Sequence, residues 1–347
     1  MIRILLSLGP LLSLLLAPTS WATDACSTRA VLTSAAVSVS DGTSFETRSF
    51  FHSREAAAIQ HISDDEQIVA VEGPVGWARR GSTEKAGSDF YPQFALGHQY
   101  HALLLYFDDI AANSRRDGEI QVRGKTYVTT RGDYPHGGTV HLIDGATNAG
   151  PAGLIFELPE AAPITALFSD WREIDGLNLP YQVKIDDGAG IFDYQYTDIS
   201  VSPKSPLWFF DVVRAPDIDQ VQVYRLHRKM LAAHCLGDAG LIAELSAPEI
   251  VVASDGEVQR FSKVALHQQF AALFDRLDYA EYHDISLPII ETSKGSDLGW
   301  ILVNVRAVGS EKQSDAKFND QWAWAMLVEK VDGTWLHAGN ASNAAGR

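Results

Sequence analysis

Between residues 167 and 201 three β-type runs of apolar and polar positions are separated by Asp175-Gly176 and Asp186-Asp187-Gly188. The pattern predicts three strands, 167–174, 179–185 and 191–201, joined by tight turns, since Asp-Gly between alternating runs is a strong hairpin signal. Shorter β-type runs precede them at 67–71, 120–122 with 126–129, and 139–143, each bounded by Gly-rich turns. One stretch changes period. Leu96, Tyr100, Leu103, Phe107 and Ile110 recur at helical spacing and place one apolar stripe on a helix that interrupts the strands.

Past residue 217 the pattern turns helical. Asp217 opens a helix through Leu236 with Val223, Leu226, Met230 and Ala233 on one face. Gly237-Asp238 breaks it, and Asp238 is placed to cap a short helix that buries Leu241, Ile242 and Leu245. Ser262 caps a third helix, striped by Leu266, Phe270, Leu273, Phe274 and Leu277. Long strands follow at 279–292, 299–308, 321–331 and 334–341, with Asp332-Gly333 as the last hairpin. Helices first and an antiparallel sheet afterwards predict an α+β cone with three helices packed on its sheet.

Prolines at 203, 206 and 216 separate the two patterns. The expected organisation is a β domain at 23–203, a linker at 204–216 and an α+β domain at 217–347. A chain of 347 residues is long enough for two cores, and 46% hydrophobic with 21% charged residues excludes a disordered chain and a multi-span membrane protein. The net charge of −16 repels phosphate backbones, so no nucleic-acid partner is expected. Residues 1–22 read as a signal peptide: Arg3, a short apolar run from Ile4 to Leu16, and small residues Ser20 and Ala22 before the cleavage point. The expected location is therefore periplasmic or secreted. Residues 23–203 carry −12 and residues 204–347 carry −5. The chain has two cysteines, Cys26 and Cys235. An exported protein would pair them, or leave Cys235 buried on its helix and Cys26 idle, and spacing does not choose between these.

The series FSDWREIDGLNLPYQVKIDDGAGIFDYQYTDISVSP at 168–203, with Gly76-Trp77 after an early strand and the helix carrying Phe94 and Leu103, resembles the periplasmic lipoprotein-carrier (LolA-like) family. That resemblance implies an antiparallel half-barrel wrapping a helix, with an apolar cavity for acyl chains. The segments AAHCLGDAGLIAELSAPEIVVASDGEVQRFS at 232–262 and WAWAMLVEKVDGTWLHAGNAS at 322–342 resemble the nuclear transport factor 2-like superfamily, its SnoaL-like members especially. That superfamily includes isomerases, dehydratases and modules without chemistry, so the fold alone implies no activity.

Chemistry was sought in the cone. The candidate ligand-binding residues are Tyr282, Asn304, Trp322, Trp324 and His337, from a wider set that includes Tyr279 and Asp284. Trp322, Trp324 and Met326 share one strand face and read as core or pocket lining. His283 and Asp284 are neighbours on one strand, point to opposite faces and cannot pair. His227 and His234 lie seven apart on one helix, where partial exposure is the commoner outcome. His98 and His101 lie three apart, and His136 and His141 straddle a turn, but no set of three ligands is spaced for a metal. No nucleophile elbow, phosphate loop or dinucleotide fingerprint is present. No catalytic residue, cofactor or metal is expected.

The functional expectation is a non-catalytic exported binding or carrier protein for a hydrophobic or lipid-like ligand. The alternatives are an isomerase or dehydratase acting on a small hydrophobic substrate in the C-terminal pocket, and a two-domain interaction scaffold with a protein partner. By analogy with such cones, a second copy would pair through the C-terminal sheet.

Overall fold

A computed structural model describes Cys26 and residues 28–344, apart from 53–55, 63–66, 88–103, 105–106, 108–111, 123, 135–137, 146–149, 158, 160–161 and 255. The signal-peptide region, His98, His101 and His136, and most of the helix expected at 96–110, lie outside these residues.

The protein is mainly β, built on two large sheets. The first contains β1 (Thr28–Val39), β2 (Ser44–His52), β3 (Ala56–Ile62), β4 (Gln67–Glu72), β5 (Val75–Arg80), β6 (Thr83–Ala86), β7 (Ala112–Val122), β8 (Lys125–Asp133), β9 (Thr139–Ile143), β10 (Gly153–Glu157), β11 (Ile164–Ile174), β12 (Leu177–Asp186) and β13 (Ile191–Lys204). The chain meanders outward from β1 to the edge at β6, crosses to the far edge at β7, and meanders back until β13 pairs antiparallel with β1. Leu104 and Phe107, both helical and both within that crossover, pack against the sheet's main apolar cluster, which includes Phe51, Phe156, Phe168 and Val183. The hairpins at 175–176 and 332–333 form as the Asp-Gly pairs predict, with positive φ at both positions of each.

The second sheet contains β14 (Ser246–Ser254), β15 (Glu257–Ser262), β16 (Leu277–Asp284), β17 (Ile289–Thr292), β18 (Leu298–Glu311), β19 (Lys317–Val331) and β20 (Thr334–Ala344). Its order is β15-β14-β20-β19-β18-β16, with β17 also on β18. Two features correct the sequence reading. The strand expected at 279–292 is two strands, because Pro288 lacks the N–H that an unbroken ladder would use. The β14–β15 hairpin was not anticipated, and β14 runs parallel to β20 in an otherwise antiparallel sheet.

Among the described residues, α1 (Trp208–Val212), α2 (Asp219–Leu236), α3 (Ala239–Glu244) and α4 (Lys263–Arg276) link and cover the sheets. The caps are those the sequence suggested. Asp238 accepts from Leu241 N at 2.9 Å, Ser262 accepts from Ala265 N at 3.3 Å, and Gly237 ends α2 in the left-handed conformation. The stretch 204–216, expected as a linker, carries α1. Its Phe209 and Val213 are buried with Ala58, Ala70 and Trp77 of the first sheet.

Helix α2 is buried on both sides, so apolar residues extend beyond the stripe of Val223, Leu226, Met230 and Ala233. Val221 packs with the first sheet, while Val223, Leu226 and Met230 join the core of the second. Tyr224 presses on Gly73, where any Cβ would fall 2.3 Å from its ring, so only glycine fits. Beside it Arg225 grips Glu72 through two hydrogen bonds of 2.6 and 2.7 Å and donates a third to Val213 O at 2.7 Å. Trp77 Nε1 adds a bond to Glu72 at 3.0 Å. Cys26, just before β1, is disulfide-bonded to Cys235 near the end of α2, across 209 residues of chain. The question left open by spacing is thereby answered.

Candidate functional site

The inner face of the second sheet under α2 gathers the groups with chemistry. Strand alternation alone would split Tyr279 from Tyr282. A bulge in β16 between Tyr279 and Glu281 shifts the register, so that Tyr279, Tyr282 and Asp284 all oppose inward positions of β18, namely Gly309, Ala307 and Val305. A second shift, between Leu327 and Val328, sets His337 of β20 opposite the buried Val328. On β19 Trp322 and Trp324 project to the same side, as their spacing predicts.

Helix α2 supplies the other half. His227, fully buried, places Nε2 2.9 Å from both carboxylate oxygens of buried Asp284, so Nε2–H donates to that carboxylate. Arg228 Nη1 lies 3.8 Å from the same group. The His227 ring lies 5.4 Å from that of Trp324, and its Nδ1 has no hydrogen-bond partner among the described residues. Two turns on, His234 stacks on Tyr282 at 4.1 Å and meets Phe270, Phe274 and Tyr279 edge-on. Sequence reasoning expected partly exposed histidines here and found no partner for any of them. Burial of α2 on both sides reverses the first expectation, and Asp284, dismissed as a partner of His283, proves to face His227 across the core. The seven-residue spacing of the two histidines was a visible signal. The carboxylate opposite them was not, because it depends on how helix and strand dock.

The electrostatics follow from burial. Desolvation lowers His234 to about 4, against the opposing pull of the Met230 carbonyl. It lowers His337 to about 4 as well, where the Gly339 backbone opposes and His234 reinforces. The hydroxyl of Tyr279 is pushed up to about 12, chiefly by burial, and that of Tyr282 is raised further by burial with Tyr279 and Asp284 nearby. Both imidazoles and both phenols are therefore neutral at ordinary pH.

Of the five candidate residues, Tyr282, Trp322, Trp324 and His337 share this inner face. Tyr282 touches Trp322 at 5.7 Å, and His337 lies behind, 3.4 Å from Ser246 Oγ. Asn304 is not with them. It opposes Ala323 on the exposed outer face and lines a groove of about 430 Å³ with Ile289, Leu302 and Ala325, which Trp324 also borders. On the inner side a cleft of about 630 Å³ opens at the end of α2, with His234, Phe274 and Tyr279 in its wall and Asp238, Asp275 and Asp278 beside them. No cluster of three or more His, Cys, Asp or Glu side chains suited to a metal ion occurs among the described residues. No helix among them is long and apolar enough to cross a membrane.

No protein-family model matches the chain. No curated protein matches its sequence. Solved structures similar to it include a LolA superfamily protein from Nitrosomonas europaea, with 13% identity over 51% of this chain and 86% of that one, at a TM-score of 0.37. A ketosteroid isomerase-like protein from Erwinia carotovora atroseptica matches with 12% identity over 37% of this chain and 98% of that one, at 0.32. A nuclear transport factor 2-like superfamily protein from Salmonella enterica matches with 8% identity over 37% and 92%, at 0.34. Both resemblances read from the sequence thus have counterparts among known structures.

Proposed function

We propose that this chain is an exported, non-catalytic binding or carrier protein for a hydrophobic or lipid-like ligand. It comprises a carrier-like half-barrel unit at 23–203 and an α+β cone at 217–347, joined through 204–216. The observation that carries the reading is the wall of the inner cleft, where neutral imidazole and phenol groups sit among aromatic rings. That part of the wall suits an apolar group with one or two oriented polar contacts, and the rest of the lining, with His267, Lys312 and the three aspartates, is polar. Tyr282 packs behind His234 and Tyr279 of that wall, with Trp322 against it, while Trp324 and Asn304 line the outer groove. The Cys26–Cys235 bond supports an oxidising compartment and hence export after cleavage at residue 22. To test the reading, the protein is purified from the periplasm, and organic extracts of it are examined by mass spectrometry. Thermal shifts with neutral acyl glycerols and alkyl phenols are recorded alongside. An apolar ligand in the extract, or a saturable shift, is expected. An empty protein that responds to neither set overturns the proposal.

A second reading, an isomerase or dehydratase acting on a small hydrophobic substrate, is favoured by one observation: the buried His227–Asp284 pair with the second ring nitrogen unengaged. With Nε2–H held by the carboxylate, Nδ1 is the atom that would exchange a substrate proton. Any turnover found should vanish in Asp284→Asn while ligand affinity is kept; turnover that survives removes this reading. The outer face exposes Ile289, Leu298, Trp300, Leu302 and Leu327, the surface on which a second copy would pair. Sedimentation of the wild type against Trp300→Lys tests that pairing, which fails if both are monomers.

A further inference from the structure

Two hydrogen bonds decide which nitrogen of each neutral imidazole carries its proton. A carbonyl oxygen only accepts, so His234 Nδ1–H donates to Met230 O at 2.8 Å, and Nε2 is left as a lone pair. At His337 the argument runs through Ser246. Its hydroxyl proton goes to Ile242 O at 2.8 Å, so toward His337 Nδ1, at 3.4 Å, the same oxygen accepts. His337 is therefore also protonated at Nδ1. Its Nε2 is buried and has no hydrogen-bond partner among the described residues.

The two rings thus present the same polarity: an unprotonated nitrogen in an aromatic surround, with no charge to share. The buried, unpartnered nitrogen is that of His337, whereas His234 is the imidazole that lines the cleft, so a ligand entering there with a donor gains one net hydrogen bond. The mouth adds a second constraint. Asp238, Asp275 and Asp278 are exposed around it, and its lysine, Lys312, donates to Phe274 O at 2.7 Å. An incoming anion meets three carboxylates and one engaged cation.

We infer that the cleft at the end of α2 selects a neutral apolar molecule that enters with an O–H or N–H donor leading, and that it rejects carboxylates of the same shape. The inference deepens the binding reading above and rests on it. The ligand class is an aromatic or polycyclic alcohol, phenol or indole-type N–H, and not a fatty acid anion.

The test uses the disulfide-bonded protein at pH 7.5 with three probes of one shape: 2-naphthol, 2-methoxynaphthalene and 2-naphthoate. Titration calorimetry should show 2-naphthol binding several-fold to about tenfold more tightly than its methyl ether, the range that one net hydrogen bond supplies. The carboxylate should bind more weakly than either. Equal affinity for naphthol and ether, or preference for the carboxylate, overturns the inference while leaving an apolar site in place. No binding of either neutral probe overturns the apolar site at this cleft, and the inference with it. His234→Phe keeps an aromatic ring against Tyr282 and should erase the difference between naphthol and ether. A measurement independent of any variant is the ¹⁵N spectrum of the free protein. The Nε2 atoms of His234 and His337 should resonate as unprotonated nitrogens, and 2-naphthol should shift that of His234. Protonated Nε2 at His234 overturns the assignment.

Discussion

The two sheets differ in where they bury polar groups. The first keeps its central cluster to hydrocarbon and the rings of Tyr134, Tyr194 and Tyr196. Its buried charges, Glu72 and Arg79, lie at the border with α1 and α2, and its buried imidazoles lie outside that cluster, His52 against Trp208 and Phe209 and His141 beside Thr139 and Glu157. The second sheet places His227, His234, His337 and Asp284 within the aromatic core itself. Each such group costs desolvation that hydrocarbon would not, and its hydrogen bonds only partly return that cost. The difference teaches where to look for function. The central cluster of the first sheet is explained by packing, whereas the imidazoles within the second core are the groups that the proposed ligand would engage.

Four measurements would break or sharpen this contrast. The largest effect is expected from the disulfide, which ties the start of the first sheet to the helix over the second. Reduction, or Cys26→Ser with Cys235→Ser, should lower stability to urea by on the order of 5 kcal/mol, the chain-entropy value for a loop of this size. If only the second sheet's tryptophan signals respond, the two sheets unfold separately and the tie is local. Next is Glu72→Ala, which strands a buried guanidinium. A loss of about 4 kcal/mol is expected, with both sheets destabilised together; Arg225→Met with Glu72→Met should recover much of it.

The third is the dependence on pH. His52, His234 and His337 are each lowered to about 4 in the folded protein, mainly by burial, from an ordinary value of 6.5. Between those values the unfolded chain binds more protons than the folded one, so stability rises with pH through that window. The stabilisation is fully present above pH 6.5 and is lost as pH falls toward 4, at up to about 3 kcal/mol for each histidine. His234→Phe should flatten the slope of stability against pH, and an unchanged slope would remove His234 from the buried neutral set. The smallest effect is expected from Asn304→Ala on the outer face. It should move stability by less than about 0.5 kcal/mol and leave probe affinity at the inner cleft unchanged, and a large loss of affinity would join the two faces into one site.

Much of this architecture is legible in the chain. The strands from 164 to 204, the helix caps at Asp238 and Ser262, and the shared face of Trp322 and Trp324 all rest on local rules of period, turn chemistry and capping. The strand break at 285–288 had a visible cause in Pro288. The β14–β15 hairpin was passed over, although it lies in a stretch rich in β-branched residues. The candidate site was legible only in its lining. That Trp322 and Trp324 share a face follows from alternation, whereas the positions of Tyr282, His337 and Asn304 do not, because alternation says which residues share a face and not which face is covered or where a bulge shifts it.

By itself the sequence determined two β-rich segments with helices between them, the turns that close their hairpins, and an acidic surface unsuited to nucleic acid. These follow from periodicity and from the conformational limits of single residues, which act over a few positions along the chain. Only the tertiary structure decided that Cys26 meets Cys235, that Arg225 meets Glu72, and that His227 faces Asp284. Those pairs lie 209, 153 and 57 residues apart, and what joins them is the double burial of one helix between two sheets. No local pattern encodes such a docking, because it is set by which faces of distant elements exclude water together.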